Sequence, residues 1–213
     1  MARSSSGNRG RGRPSARAPA GGKTVPRVDV IGVHEYSSIA EGVRAMDAMV
    51  KKAPVTVLAA RTVTPGRFVV LITGDEASVE ASLAEARETS LPFLLDELYL
   101  PNLHPRVLPA IRGEASVGAW DAMGLIESSS VTAGIEAADA AAKEADVRLL
   151  SVRLSGGLGG KSVVKLMGAL SDVEAAVEAG AARAQARGRL AHRVVIARPH
   201  PDLEGAGRED LWS

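Results

Sequence analysis

The stretch that most invites a chemical reading is Ser155-Gly156-Gly157-Leu158-Gly159-Gly160-Lys161-Ser162. Glycines followed by Lys-Ser end a phosphate loop, where backbone N–H groups and a helix N-terminus hold a nucleotide. Two features argue against that use. Ser155 stands where the loop has glycine, and Val163-Val164-Lys165-Leu166-Met167 reads as a strand rather than a helix. His34, His104, His192 and His200 show no HExxH spacing and no neighbouring carboxylate cluster, so they predict no metal site and structural roles instead. The absence of cysteine excludes disulfides, thiolate metal sites, cysteine-ligated iron-sulfur clusters and cysteine nucleophiles. No Ser-His-Asp arrangement follows from spacing. We therefore expect no catalytic residue, no cofactor and no enzyme. Asp47 with Lys51, and Asp139 with Lys143, are i,i+4 helix pairs, each worth about 0.3 kcal/mol as solvated surface pairs.

The chain that must position these residues has 213 of them, 46% hydrophobic and 24% charged, enough for one sizeable core or two small ones. No run approaches the ~20 apolar residues of a bilayer span, and the N-terminus lacks the apolar region of a secretory signal. No membrane contact and a cytoplasmic address are the expectations. The net charge of +1 hides an asymmetry, because residues 1–27 hold seven Lys or Arg and no acid, leaving 19 bases against 25 acids. That first stretch, rich in Arg, Ser, Gly and Pro, reads as a disordered basic tail. Two Phe, two Trp and two Tyr are too few for a base-stacking surface, so no specific nucleic-acid partner is expected.

From Val28 onward the organising feature is an internal repeat. An offset of 92 pairs Gly32 with Gly124, Glu35 with Glu127, Ser38 with Ser130, Gly42 with Gly134, Asp47 with Asp139, Lys51 with Lys143 and Arg61 with Arg153. Two extra residues then enter the second copy, and an offset of 94 pairs Gly66 with Gly160, Val69 with Val163 and Gly74 with Gly168. Near the end, an offset of 96 lays His104-Pro105 on His200-Pro201. The division is a tail at 1–27, a first module at 28–112, a linker at 113–120, a second module at 121–203 and a C-terminal tail at 204–213.

Each copy predicts the same elements. Val28 to Glu35 and Met123 to Glu127 suit strands that stop at capping serines. Helices follow, with Ser38 and Glu41 at capping-box spacing and Ile39, Val43, Met46 and Val50, or Val131, Ile135 and Ala138, at helical intervals. Val55 to Ala60 and Val147 to Val152 then turn through glycine into Phe68 to Thr73 and Val163 to Met167. Asp75 and Ser171 are expected to cap second helices, before last strands at Leu94 to Leu100 and Arg193 to Ala197. The class is α+β, two tandem ferredoxin-like βαββαβ modules with helices on one face of a mostly antiparallel sheet.

Gly124-Leu125-Ile126-Glu127, Ala137-Ala138-Asp139 through Lys143, Val147, the Gly-rich turn, Gly168 and Arg198-Pro199-His200 together resemble the signature of the bacterial microcompartment shell domain. Gly32-Val33-His34-Glu35, Ala45-Met46-Asp47 through Lys51, and Gly74-Asp75 resemble it again in the first copy. The resemblance implies a tandem-domain, unpermuted shell protein. Three chains would form a pseudohexameric homotrimer around a central pore and tile into a microcompartment shell beside other shell proteins, hexameric and pentameric, around encapsulated enzymes. It places the pore at Val63, Thr64, Pro65 and Gly66 and at Ser155, Gly156, Gly157, Leu158, Gly159 and Gly160. It places the tile edge at Lys51 and Lys143, at Arg198 with His200, and at Asn102 where the family has arginine. Some tandem members hold an iron-sulfur cluster through cysteine, which this chain lacks. Others, usually permuted, stack two trimers, so a single ungated layer is implied here.

Within that frame, the loop glycines present N–H groups, and Arg67 with Lys161 is expected to add positive potential, favouring small anionic or polar metabolites. A Gly-rich β-turn is also commonly just a hairpin. Two other function classes fit parts of the sequence. A small-ligand regulatory protein of ferredoxin-like fold predicts a ligand that raises the melting temperature without two-dimensional assembly. A nucleotide-using enzyme predicts ATP turnover lost with Lys161→Ala.

Overall fold

Every residue of strand β1 (Val30–Tyr36) is buried, which requires something packed on each face of its sheet. Alternation sends Gly32, His34 and Tyr36 to one face and Ile31, Val33 and Glu35 to the other. The first face meets the module's own helices. The second meets a helix of the other module. The computed structural model describes residues 28–115, 121–154, 157–201 and 203; the two tails and the pore-loop residues Ser155 and Gly156 lie outside these.

The first module continues with α1 (Ile39–Lys52), β2 (Thr56–Val63), β3 (Arg67–Thr73), α2 (Glu76–Ser90) and β4 (Leu94–Pro101). A short helix the sequence reading did not anticipate, α3 (Val107–Arg112), packs on the second module's β6. That module runs β5 (Ala122–Ser128), α4 (Val131–Glu144), β6 (Arg148–Leu154), β7 (Ser162–Gly168), α5 (Leu170–Ala186) and β8 (Leu190–Ala197). The sheets are ordered β2-β3-β1-β4 and β6-β7-β5-β8 with every pairing antiparallel, so each module is the expected βαββαβ unit.

Glycines shared by the copies mark close approaches. A Cβ on Gly42 would lie 2.5 Å from Phe68, and one on Gly134 would lie 2.0 Å from Ser162 Oγ, so only glycine lets α1 and α4 sit this low on their sheets. The helix starts follow the sequence with two corrections. Ser38, Asp75 and Ser130 accept the N–H of Glu41, Ser78 and Ala133. The Ser38–Glu41 box is one-sided, because Glu41 turns its carboxylate to Ser90 Oγ and Arg44. Ser171 caps nothing. Helix α5 begins at Leu170 with Ala169 at the cap, the position Asp75 holds in the first module, so the second copy has lost a side-chain cap.

The periodic apolar stripe of α1 is not the face that fills the core. Ile39, Val43 and Val50 lie on the outer face, while Gly42, Ala45 and Met49 fill the core. The second module's core runs on without a break into Ile31, Val33, Val69, Leu71 and Leu98, on the helix-free face of the first sheet.

Candidate assembly faces and pore loops

Helix α4 lies between its own sheet and the helix-free face of the first module's sheet, contacting β1 and β4 there. Buried Glu35 anchors its start: Oε1 accepts from Arg67 Nη1 at 2.7 Å, and Oε2 accepts the N–H of Val131, the first residue of α4, at 3.1 Å. That N–H has no acceptor within its own helix, and a carboxylate at a helix N-terminus is favoured by the dipole. Asp96 on β4 accepts from Thr132 Oγ1 at 2.5 Å and from Arg187, which also reaches Glu136 at 3.1 Å and the Glu97 carbonyl at 2.7 Å. Burial alone would raise the Asp96 pKa, but hydrogen bonds from Thr132 and Ser130 and the Arg187 charge hold it below the usual carboxylate value.

The repeat maps this junction onto two surfaces that no other element covers among the described residues. Strand register equates Glu35 with Glu127, Val33 with Leu125, Asp96 with His192 and Leu98 with Val194. On the second sheet these residues, with Leu158 and Val163, line an open concavity of about 240 Å³. Leu98 is 5% exposed and Val194 is 39%; the Glu35 side chain is 0% exposed and that of Glu127 is 34%. The counterpart of α4 is α1, whose outer face shows Ile39, Val43 and Val50 at 41, 45 and 45% exposure.

Some of the edge residues meet in one composite corner. Asp139 is buried and joins Lys143 Nζ at 2.6 Å to the His104 N–H at 2.7 Å, so a second-module lysine and the first module's Asn102–His104 turn share one carboxylate. This corrects the view of Asp139–Lys143 as a solvated pair. Asp47–Lys51, also 2.6 Å, is exposed as expected. Asn102 and Arg198 occupy equivalent positions with φ of 55° and 50°. Asparagine accepts that left-handed backbone readily, whereas for arginine it costs on the order of 1 kcal/mol.

The candidate pore loops are adjacent. Val63 is buried at the end of β2, and Thr64, Pro65 and Gly66 form an exposed turn with a cis Thr64–Pro65 bond. Gly157, Gly159 and Gly160 all have positive φ, and Leu158 is half-buried between them. A Cβ on Gly160 would stand 3.1 Å from Arg67 Nη1, while Arg61 donates to the Leu154 carbonyl at 3.4 Å, so the two hairpins touch. The free positive potential expected here is reduced. Arg67 is paired with Glu35 and its counterpart Lys161 with Glu127 at 2.6 Å. Lys161-Ser162 also opens strand β7, leaving no helix N-terminus to receive a phosphate.

Sequence reasoning missed the Glu35 and Glu127 carboxylates as junction residues, although the repeat had paired them and their cations, Arg67 and Lys161, follow at 32 and 34 residues, the difference being the two-residue insertion. It also missed Asp96 and Arg187, and the tie from Asp139 to the His104 N–H, contacts that span 35 to 91 residues. Among the described residues no group of His, Asp or Glu could hold a metal ion, and no helix is long and apolar enough to cross a membrane. His34 is buried, with Nδ1 2.6 Å from the Tyr36 hydroxyl and Nε2 3.3 Å from Glu97 Oε2 but poorly aligned to it. Burial lowers its pKa to about 4, with Arg87 assisting and Glu97 opposing.

Comparison with known proteins gives this geometry a family. The BMC domain family matches residues 30–103 and again 122–199. The chain is 42% identical over 173 residues to the bacterial microcompartment shell protein PduT of Citrobacter freundii, covering 81% of this chain and 94% of that one. Over 84 residues it is 44% identical to the shell protein EutM of Salmonella typhimurium, covering 39% of this chain and 85% of EutM. A crystal structure of a microcompartment protein from Desulfitobacterium hafniense superposes with a TM-score of 0.76 at 42% identity, covering 84% of this chain and 99% of that one. Two successive βαββαβ units, each matched in full, make this chain a member of the BMC-domain family, a tandem-domain bacterial microcompartment shell protein whose role is structural rather than catalytic.

Proposed function

We propose that three chains close head to tail into a pseudohexameric, single-layer tile of the microcompartment shell, with small metabolites passing through its axis. The observation that carries this reading is the unequal burial of one repeated face. Within the chain the first sheet covers α4; the matching concavity of the second sheet and the matching face of α1 are both open. Each chain thus ends in two complementary halves of a junction it already contains once, which is a heterologous contact that closes when the rotation closes. Covering three partly exposed β-branched side chains contributes about 1 kcal/mol each at every new junction.

In the closed ring the turns at Val63–Gly66 and Ser155–Gly160 surround the axis. Because Arg67 and Lys161 are neutralised, selectivity rests on glycine N–H groups and on lumen size, favouring small polar solutes. Lys51, Lys143, Asn102, Arg198 and His200 form the rim that meets other shell proteins, hexameric and pentameric, and the enclosed face meets encapsulated enzymes. The module boundaries belong to the same proposal: residues 28–112 and 121–203 as bricks, 113–120 as their link. Negative-stain electron microscopy of the purified protein tests it: hexagon-like particles about 60–70 Å across with a central depression are expected, and isolated particles of one-chain size would reject it.

A further inference from the structure

The junction inside the chain fixes the start of α4 with a carboxylate from the preceding module, and the chain carries the unused half of a second such device. We propose that Glu127 is an intermolecular helix cap, its carboxylate accepting the N–H of Ile39 at the start of α1 in the next chain. This rests on the trimeric reading above and adds the group that locks each new junction.

Three observations converge on it. Glu127 occupies the position of Glu35 in strand register, and its Oε1 is held by Lys161 at 2.6 Å just as Glu35 Oε1 is held by Arg67 at 2.7 Å. In the first module the second carboxylate oxygen then takes the Val131 N–H, whereas Glu127 lines the open concavity on sheet β6-β7-β5-β8. Ile39 is the counterpart of Val131, the first residue of a 14-residue helix, so its N–H has no acceptor in its own helix.

The rest of the junction's polar framework is not repeated. Where Asp96 meets Thr132 and Arg187 within the chain, the equivalent positions hold His192, Ala40 and Leu91. Leu91 is exposed, as is Phe93 beside it, at the position of Arg189. The glutamate cap is therefore the polar anchor that both junctions retain, in a setting otherwise more apolar between chains than within one. The same difference keeps the two junction types from interchanging, since pairing two second modules would set His192 against Arg187 and Arg189.

Two variants isolate the bond. Glu127→Ala removes the acceptor. Ile39→Pro removes the donor while leaving a residue that suits the first helical position, and Ser38 before it already has the extended backbone a following proline needs. Ile39→Val serves as the control for the side chain. Sedimentation equilibrium is expected to show a wild-type trimer, a trimer for Ile39→Val, and for the other two a dissociation constant raised about tenfold to a hundredfold per junction, the range of one charge-assisted hydrogen bond. Circular dichroism is expected to show unchanged helix content, and the double variant is expected to be no weaker than the worse single one. Wild-type trimers with all variants dissociating alike would overturn the cap and leave the trimer standing. A wild-type monomer at every concentration would overturn the assembly itself.

Discussion

Helices α1 and α4 share one sequence pattern and one fold position, yet ten of the fourteen residues of α4 are buried against three in α1. Nothing intrinsic to the helices produces this. Each has its serine cap, its low glycine and its Asp–Lys pair. The difference is the sheet that lies over α4 and does not lie over α1. A doubled module thus displays its own assembly rule, because one copy shows a contact made and the other shows the same contact waiting.

The comparison is broken most forcefully at Ile135 and its counterpart Val43. Ile135 is fully buried, so Ile135→Ala should destabilise the chain by about 2–4 kcal/mol in urea unfolding, through lost transfer energy and a residual cavity. Val43→Ala should change the isolated chain by less than about 0.5 kcal/mol and weaken assembly instead. Equal losses in dilute monomer would remove the distinction between the faces.

Next in size is a pH effect confined to the first module. His34 has a folded pKa lowered to about 4 against an unfolded value near 6.5, so the unfolded chain binds the extra proton between those limits. Stability is therefore complete above about pH 6.5 and falls as the pH drops towards 4, by at most about 3 kcal/mol. The second module has Ile126 at this place, and a His34→Ile variant should unfold with less dependence on pH across that window.

Comparable in size but different in kind is the pair of carboxylates. Glu35→Ala strips Arg67 and the α4 N-terminus of their partner and should destabilise the single chain by about 2–3 kcal/mol, part of the Arg67 charge being screened by solvent. Glu127→Ala, partly exposed, should cost the monomer under about 1 kcal/mol. The smallest effect belongs to the lysines. Lys51→Ala should be within about 0.3 kcal/mol of neutral, and Lys143→Ala, which leaves a buried Asp139 with one fewer donor, should cost about 1 kcal/mol more. Thermal unfolding of the two single variants ranks them.

Much of the fold was legible because a repeat doubles every local signal. Glycines at 32, 42, 124 and 134 and serines at 38 and 130 mark the same close approaches and helix starts twice over, and the element order followed from them. What was not legible depended on distance. Ser171 looked like a cap because serine precedes glutamate at capping spacing, but backbone geometry set the start of α5 at Leu170, where alanine had replaced the first copy's aspartate. The α1 stripe at helical intervals marked one face of a helix without saying which neighbour covers it. Arg67 and Lys161 looked like free charge because their carboxylate partners sit 32 and 34 residues away on an adjacent strand.

Native mass spectrometry of the full chain tests the central claim most directly. A species of about 66 kDa, three chains of 22.0 kDa, is the predicted result, with no intermediate that accumulates on dilution before the monomer. A 22.0 kDa monomer persisting at high concentration, with the faces of α1 and the second sheet still open, would contradict it.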